Sequence, residues 1–299
     1  MTHRHRRTAL ALIAAAGVSL AGCSSTSTPD SAQAPQKDTI TIGYLPAWTD
    51  GLTSAYMLED QLTKLGYDVE FQTLSEAGPI YAGLSQGDID IFSSGSPEQT
   101  HRSYWEEYGD DLEDLGTYYD SMQNFLAVPA YTDVDTIDDL IGQGDRFRGE
   151  IIGIEPGAGN TALSQATVGA YGLDAEYDLI TSSTPAMLTE LSDALERHED
   201  IVVTLWSPFW ANAVYDVKPL TDPKGSMGGS EGMHVLATKG FTAAHPDAAE
   251  LIAGFHLDDD EYGTLENTIV NDFEEGQERE AVDQWIAENP EAFDTLLTQ

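Results

Sequence analysis

The stretch TITIGYLPAWTDGLTSAYMLEDQLTKLGYDVEFQ, residues 39–72, decides the fold class of this chain. β-Branched residues alternate over 39–44, and apolar residues then recur at spacings of three and four over 52–65 until Gly66. The first pattern is typical of a strand and the second of an amphipathic helix with a glycine at its end. A further run of alternating polar and apolar residues follows at 68–72. The stretch therefore predicts a strand, a helix and a strand, the unit that builds parallel sheets covered by helices.

The same alternation continues along the chain and predicts an α/β fold. Further strands are predicted at 89–92, 125–129, 151–154, 201–205 and 234–238, and the last third of the chain reads as helix. A body of this size suits two lobes with a ligand cleft between them. We assign 38–127 plus 233–299 to lobe 1 and 128–232 to lobe 2, with crossings at 125–131 and 233–238.

Composition excludes several classes of function. The 299 residues include 13 Lys+Arg against 52 Asp+Glu, a net charge of -39, and 41% are hydrophobic. So many carboxylates repel phosphate backbones and anionic lipids, so we expect no nucleic-acid partner. The single cysteine allows neither an intrachain disulfide nor a zinc site built on thiolates.

The N-terminus is typical of an export signal. Arginines precede a 12-residue apolar run at 9–20, which is too short to span a bilayer. The run ends in LAGC at Cys23, which resembles a bacterial lipobox, and 23–37 is a flexible stretch rich in Ser, Thr, Pro, Gln and Ala. We expect a signal peptide at 1–22, lipidation at Cys23 and a body outside the cytoplasm, held to the membrane by the lipid alone. An ordinary signal peptide is the alternative.

Motifs for catalysis are missing from the sequence. The chain has no nucleophile elbow, phosphate-binding loop or dinucleotide fingerprint, and its body has no paired histidines at metal-ligand spacing. The acidic run at 258–261 lacks the spacing of a calcium loop. We therefore expect no catalytic residue, no metal and no cofactor.

Aromatic residues follow two of the predicted strands. Trp48 stands with Thr49 and Asp50 after 39–44, and a second group, Trp206, Phe209 and Trp210, follows 201–205. Open α/β sheets present ligand-binding residues at such places. A quaternary ammonium ion has no N–H donor, so aromatic faces suit it better than hydrogen-bond acceptors do. Alternatively, the indoles are core residues and Asp50 caps the helix near Leu52.

A glycine-rich turn at 153–161 links a predicted strand to a predicted helix. Its central residues are Gly157, Ala158, Gly159 and Asn160. Free N–H groups at a helix start favour a carboxylate or hydroxyl, so the turn could seat the other end of a zwitterion. A purely structural turn is the alternative.

Five motifs occur in an order that resembles the glycine betaine/choline substrate-binding family of ABC importers. They are WTD at 48–50, LSQGDID at 84–90, PEQTHRSYW at 97–105, GIEPG at 153–157 and WSPFW at 206–210. The resemblance implies a two-lobed, type II periplasmic-binding-protein-like fold with an aromatic cage. It also implies a non-enzymatic, monomeric protein that delivers an osmoprotectant or choline to ABC permease subunits.

The resemblance assigns roles to several residues. Trp206 matches a cage tryptophan, Trp48 with Asp50 resembles the choline-binding branch, and Asn160 resembles a polar contact to the ligand. His101 either joins the site or anchors the helix that follows Pro97.

Two positions depart from the family pattern. Gly95 and Ala158 stand where members carry cage tryptophans. Either Tyr81, Tyr118 or Tyr119 closes the cage, or the pocket is enlarged for a bulkier ligand such as carnitine. Other cargoes such as ectoine or a polar amino acid, and a role as a sensory lipoprotein or an enzyme, are the alternatives.

Overall fold

The computed structural model describes residues 38–292, so the predictions for the signal peptide, the leash and Cys23 lie outside the described residues. Strands and helices alternate through the first two thirds, as the sequence predicts. The strands are β1 (Thr39–Tyr44), β2 (Asp68–Thr73), β3 (Ile91–Gly95), β4 (Leu112–Pro129), β5 (Glu150–Ile152), β6 (Asp178–Ile180), β7 (Val203–Ser207), β8 (Val217–Pro219) and β9 (Glu231–Thr238). The α-helices are α1 (Thr49–Lys64), α2 (Ala77–Gln86), α3 (Arg102–Tyr108), α4 (Gly159–Tyr171), α5 (Thr184–Arg197), α6 (Ala211–Val214), α7 (Phe241–Ala244), α8 (Pro246–Ala253), α9 (Asp259–Asn267) and α10 (Glu278–Glu288).

Two sheets share the long strand β4. The first sheet has the order β2-β1-β3-β9-β4, and the second continues from β4 through β7 and β5 to β6, with β8 also on β4. β4 pairs with β9 as far as Met122 and with β7 from Gln123 onward. The 18-residue strand therefore passes from one sheet to the other in a single run.

The strand pairing bears on the division into lobes. β9 pairs with β3 and β4 of the first sheet. β5, β6 and β7 pair with each other and, through β7, with the second half of β4. This pairing supports a division near 122–123 and 230–231; the boundaries assigned above at 127 and 233 stay a prediction.

Apolar faces fix the helices on the sheets. On α1, Met57, Leu58 and Leu62 point into the core beside Ile40 and Ile42 of β1, and all five are fully buried. These three helix residues are one, four and five positions apart, so they lie on one face of α1. α1 thus holds its N-terminal residues at the end of β1. None of the described helices is long and apolar enough to cross a membrane.

Candidate ligand-binding site

One cavity lies where the ends of several strands and the start of α4 meet. Its empty volume, including space open to solvent, is about 350 Å³. Side chains from both sheets surround it. The lining residues are Trp48, Asp50, Ser94, Ser96, Thr100, His101, Met122, Asn124, Ile154, Ala158, Gly159, Asn160 and Trp206.

Aromatic rings form two walls of the cavity. The rings of Trp48 and His101 are nearly parallel, at 13° with centroids 6.2 Å apart. Trp206 is stacked on Phe209 at 4.0 Å and 18°. Burial lowers the pKa of His101 to about 4, so the ring is neutral at physiological pH. A neutral imidazole does not repel a cation, and both walls therefore suit a positively charged group.

Asp50 supplies a buried charge. Its side chain is 4% exposed, Oδ2 accepts a hydrogen bond from Ser94 Oγ at 3.1 Å, and Oδ1 has no partner among the described residues. Burial raises the pKa of Asp50 to about 6. The helix-capping alternative is wrong, because Trp48 occupies the N-cap of α1 and Asp50 lies in its first turn. Since no Lys or Arg lines the cavity, the ionised carboxylate gives it a negative potential.

A chain of amides and hydroxyls forms the polar side of the cavity. Asn160 Nδ2 donates to Asn124 Oδ1 at 2.8 Å and to the Leu205 carbonyl at 3.0 Å. Asn124 Nδ2 donates to Thr100 Oγ1 at 2.6 Å, and that hydroxyl donates to Glu231. These bonds connect β4, β9, α4 and the segment before α3, so they hold groups from both sheets around one space.

The cavity brings together seven of the residues that the sequence singles out. They are Trp48, Asp50, His101, Ala158, Gly159, Asn160 and Trp206. Six others do not line it: Thr49, Gly95, Tyr119, Gly157, Phe209 and Trp210. Convergence of Trp48 and Trp206 on one space agrees with the cage hypothesis, although each indole is also packed against core residues.

Three of the six have other contacts that explain their position. A Cβ on Gly95 would lie 2.6 Å from Leu236 Cδ1, so this residue faces the core. Thr49 Oγ1 donates to Glu266 at 2.5 Å, and the Tyr119 hydroxyl donates to Asp259 at 2.9 Å. Gly95 therefore offers no space for the tryptophan of the family pattern.

Both backbone polar groups of Gly157 are hydrogen-bonded to side chains of the protein itself. Its N–H donates to Glu76 Oε2 at 3.0 Å, and its carbonyl accepts from the Tyr104 hydroxyl at 2.7 Å. The prediction of an anion seat at Gly157 is wrong, because an internal carboxylate takes that N–H. Gly159 and Asn160, the first residues of α4, keep N–H groups without an intrahelical acceptor.

The remaining two residues, Phe209 and Trp210, lie beyond Trp206 as seen from the cavity. Phe209 stacks behind that indole, and half-buried Trp210 packs against Phe209 and Tyr215. Neither ring reaches the cavity.

The ring beside Trp48 is His101, not a tyrosine. Tyr81, Tyr118 and Tyr119 are all buried outside the lining, so the prediction that one of them closes the cage is wrong. Enlargement of the pocket for a bulkier ligand stays a prediction. His101 both lines the cavity and, through Nδ1, accepts the Ser96 N–H at 3.2 Å, so it also anchors the loop before α3.

Sequence reasoning missed several lining residues: Ser94, Ser96, Thr100, Met122, Asn124 and Ile154. The first two flank Gly95 at the end of β3, and side chains alternate along a strand. That periodicity, applied to the strand end, would have found them. No sequence pattern marks Asn124, because its place in the cavity depends on where β4 passes from one sheet to the other.

Fold and cavity together define a class of protein, an α/β body whose linked sheets hold a small molecule between them. Residues 38–288 match the family described as the substrate binding domain of the ABC-type glycine betaine transport system, OpuAC, and the chain belongs to this family. Within residues 38–292 no group of three or more His, Cys, Asp or Glu could hold a metal ion.

Several known proteins are similar to the chain. The glycine betaine/carnitine transport binding protein GbuC of Listeria monocytogenes is 34% identical over 149 residues, 50% of this chain and 49% of GbuC. The match thus spans about half the length of this curated relative.

Two solved structures resemble the whole described body. The glycine/betaine/L-proline-binding protein ProX of Borrelia burgdorferi is 32% identical, with a TM-score of 0.80 over 87% of this chain and 97% of ProX. Lactococcal OpuAC, in its closed-liganded conformation with glycine betaine, is 29% identical, with a TM-score of 0.80 over 88% of this chain and 100% of OpuAC. The predicted fold class is confirmed.

Proposed function

We propose that this protein captures a quaternary ammonium osmoprotectant outside the cytoplasm and presents it to the permease subunits of an ABC importer. Glycine betaine, choline and carnitine are the candidate ligands. The observation that carries the proposal is the meeting of Trp48, His101 and Trp206 with the unpaired carboxylate oxygen of Asp50 at one cavity.

The chemistry of the walls favours a methylated cation. Indole faces attract a cation by about 0.5–2 kcal/mol each and also contact its methyl groups. Sodium or potassium would lose hydration there and gain few ligands. Micromolar affinity requires about 8 kcal/mol, so Asp50, buried methyl groups and polar contacts to the ligand's other end must supply the rest. The N–H groups at the start of α4, which have no intrahelical acceptor, and the Trp206 N–H are donors for that end.

The similar proteins support the same ligand class. One is named for glycine betaine and carnitine, and another was solved with glycine betaine. Family membership and the absence of catalytic motifs support a binding role without turnover. The LAGC sequence at Cys23 supports a lipid anchor, and we propose that the protein acts as a monomer.

Calorimetry with a panel of solutes tests this function. We expect heat of binding with glycine betaine, choline or carnitine, and none with glucose or glutamine. The matched control is 3,3-dimethylbutan-1-ol, a neutral isostere of choline: it keeps the shape but loses the charge, so its affinity should be much weaker. Heat from an amino acid or sugar, with none from the quaternary ammonium compounds, would overturn the proposal.

The lipid anchor has its own test. Metabolic labelling with a tagged fatty acid should mark the wild type but not a Cys23→Ala variant, because the Cys23 thiol accepts the lipid. A wild-type protein that takes up no label would contradict the anchor without bearing on the ligand.

A further inference from the structure

Glu155 is a buried carboxylate directly behind the Trp48 wall. It is 6% exposed and does not line the cavity. Oε2 accepts the Trp48 indole N–H at 3.1 Å and the Thr184 hydroxyl at 2.9 Å, while Oε1 accepts the Thr184 backbone N–H at 2.8 Å. Hydrogen bonds to an ionised acceptor are about twice as strong as neutral ones.

The Trp48–Glu155 bond connects the two sheets. Trp48 follows β1 in the first sheet, and Glu155 follows β5 in the second. Thr184 is the first residue of α5, whose N-terminus stabilises negative charge. Glu155 is therefore held by its own side of the cleft, and the indole is the partner that comes from the other side.

The turn at residues 155–160, which contains Glu155, makes further contacts with the first sheet and its helices. Gly157 bonds to Glu76 and Tyr104, and both of these belong to helices beside the first sheet or to their caps. A Cβ on Gly159 would overlap the Thr100 carbonyl, so the backbone of the turn rests directly on the segment before α3. The turn is thus the part of the second side that fits against the first around the cavity.

We infer that Glu155 is a positioning residue for ligand capture: it fixes the Trp48 indole across the cleft when the two sides close, so that one aromatic wall is completed by closure. The inference rests on the proposed function. Glu155 does not contact the ligand and acts only through Trp48. Losing it should speed ligand dissociation more than it slows association, because the bond exists in the closed state.

Proton–nitrogen NMR of the indole groups tests the inference with glycine betaine as the probe. The chain has five tryptophans, and a Trp48→Phe variant identifies the Trp48 signal by its loss. On saturation with glycine betaine, the wild-type Trp48 proton should move downfield and exchange more slowly with water. In Glu155→Ala this change should be absent, and the affinity should fall about tenfold, which is about 1.4 kcal/mol. Stopped-flow fluorescence should assign most of that loss to dissociation.

Matched variants separate positioning from a structural role. Tyr104→Phe removes the bond to Gly157 but leaves Glu155 intact, so the Trp48 signal should respond as in the wild type. Glu155→Gln keeps the shape and one acceptor oxygen, should fold if Glu155→Ala does not, and should give an intermediate shift. In the Trp48→Phe background, Glu155→Ala should cost no further affinity.

Three results would overturn the inference, the third together with the proposed function. If Glu155→Ala costs as much in the Trp48→Phe background as alone, Glu155 merely supports α5. If the Trp206 signal responds to ligand while the Trp48 signal is the same with and without Glu155, the bond does not form on capture. If no indole signal responds to glycine betaine, choline or carnitine, the proposed function fails, and this inference fails with it.

Discussion

The two indoles of the cavity are held in different ways. Trp48 Nε1 donates to Glu155, whereas Trp206 Nε1 is buried without a partner among the described residues. Trp206 instead rests on Phe209 by stacking at 4.0 Å. A buried N–H without an acceptor costs about 1–3 kcal/mol, and such groups are rare in folded proteins. The difference indicates that the protein orients Trp48 internally and leaves the N–H of Trp206 available to a ligand acceptor.

The comparison also separates the roles of the two sheets. Trp48 and Asp50 lie at the start of α1, so the first sheet supplies both an aromatic face and a negative charge. Trp206 lies in β7 of the second sheet and supplies an aromatic face and an indole N–H donor. The two sheets thus contribute complementary groups to one cavity.

The largest effect is expected for Trp206→Ala, which removes both the face and the free N–H. A desolvated cation–π contact of about 2 kcal/mol and the lost apolar contact with methyl groups together imply about 300-fold weaker binding of glycine betaine. Calorimetry measures the change. Trp210→Ala is the control, because that indole lies outside the cavity, and it should cost less than about threefold. Equal losses would remove the distinction between the two tryptophans.

Asp50→Asn tests the charge on the Trp48 side. The pKa of Asp50 is about 6, above the usual 3.8, because burial disfavours the ionised form. The resulting destabilisation is absent below pH 3.8 and complete above about pH 6, where it is worth about 3 kcal/mol. At pH 7.5 the ligand-free variant should therefore unfold at a higher urea concentration.

The same substitution should weaken choline binding about 30-fold at pH 7.5 through the lost attraction between ion and carboxylate. Wild-type affinity for choline should fall as the pH drops through 6, and the variant should show no such fall. His101 stays neutral over this range, since its pKa is about 4. A pH-dependence that survives in Asp50→Asn would assign it to another group.

Gly95→Ala tests whether a third aromatic wall fits on the first sheet. A Cβ there meets Leu236 at 2.6 Å, so we expect about 1–3 kcal/mol of destabilisation from overpacking. Ligand affinity should change little. Ser94→Ala, one residue away but lining the cavity, removes the hydroxyl that donates to the buried Asp50 carboxylate, so it should weaken binding as well as lower stability. Urea unfolding and calorimetry measure both; weaker binding by Gly95→Ala alone would place Gly95 at the ligand.

The smallest effect is expected for Phe209→Leu, which removes the ring that supports Trp206. Aromatic pairs contribute about 0.5–1.5 kcal/mol beyond their apolar area, so about threefold weaker binding should result. Trp206 fluorescence should broaden as the indole gains freedom. An unchanged affinity would mean that the rest of the core holds Trp206 by itself.

Much of this fold could be predicted because its strands are short and apolar. β1 was predicted with its observed bounds, and α1 within a few residues of its own. β4 was found only in its last five residues. Gly116, Asp120 and Gln123 interrupt its apolar pattern, because a strand that passes between sheets does not keep one buried face.

The site was predictable where it follows strand ends and not where it depends on tertiary contacts. Trp48, Asp50 and Trp206 follow β1 or end β7, so local pattern placed them. Asn124 required knowing where β4 changes partners, and the direction of Gly95 required knowing that Leu236 lies behind it.

The continuity of β4 has a mechanical consequence. Met122 and Asn124 line the cavity at the point where the strand leaves β9 for β7, so the connecting element is itself part of the binding surface. Any bend at this junction displaces two cavity side chains at once, so the shape of the cavity and the course of β4 change together.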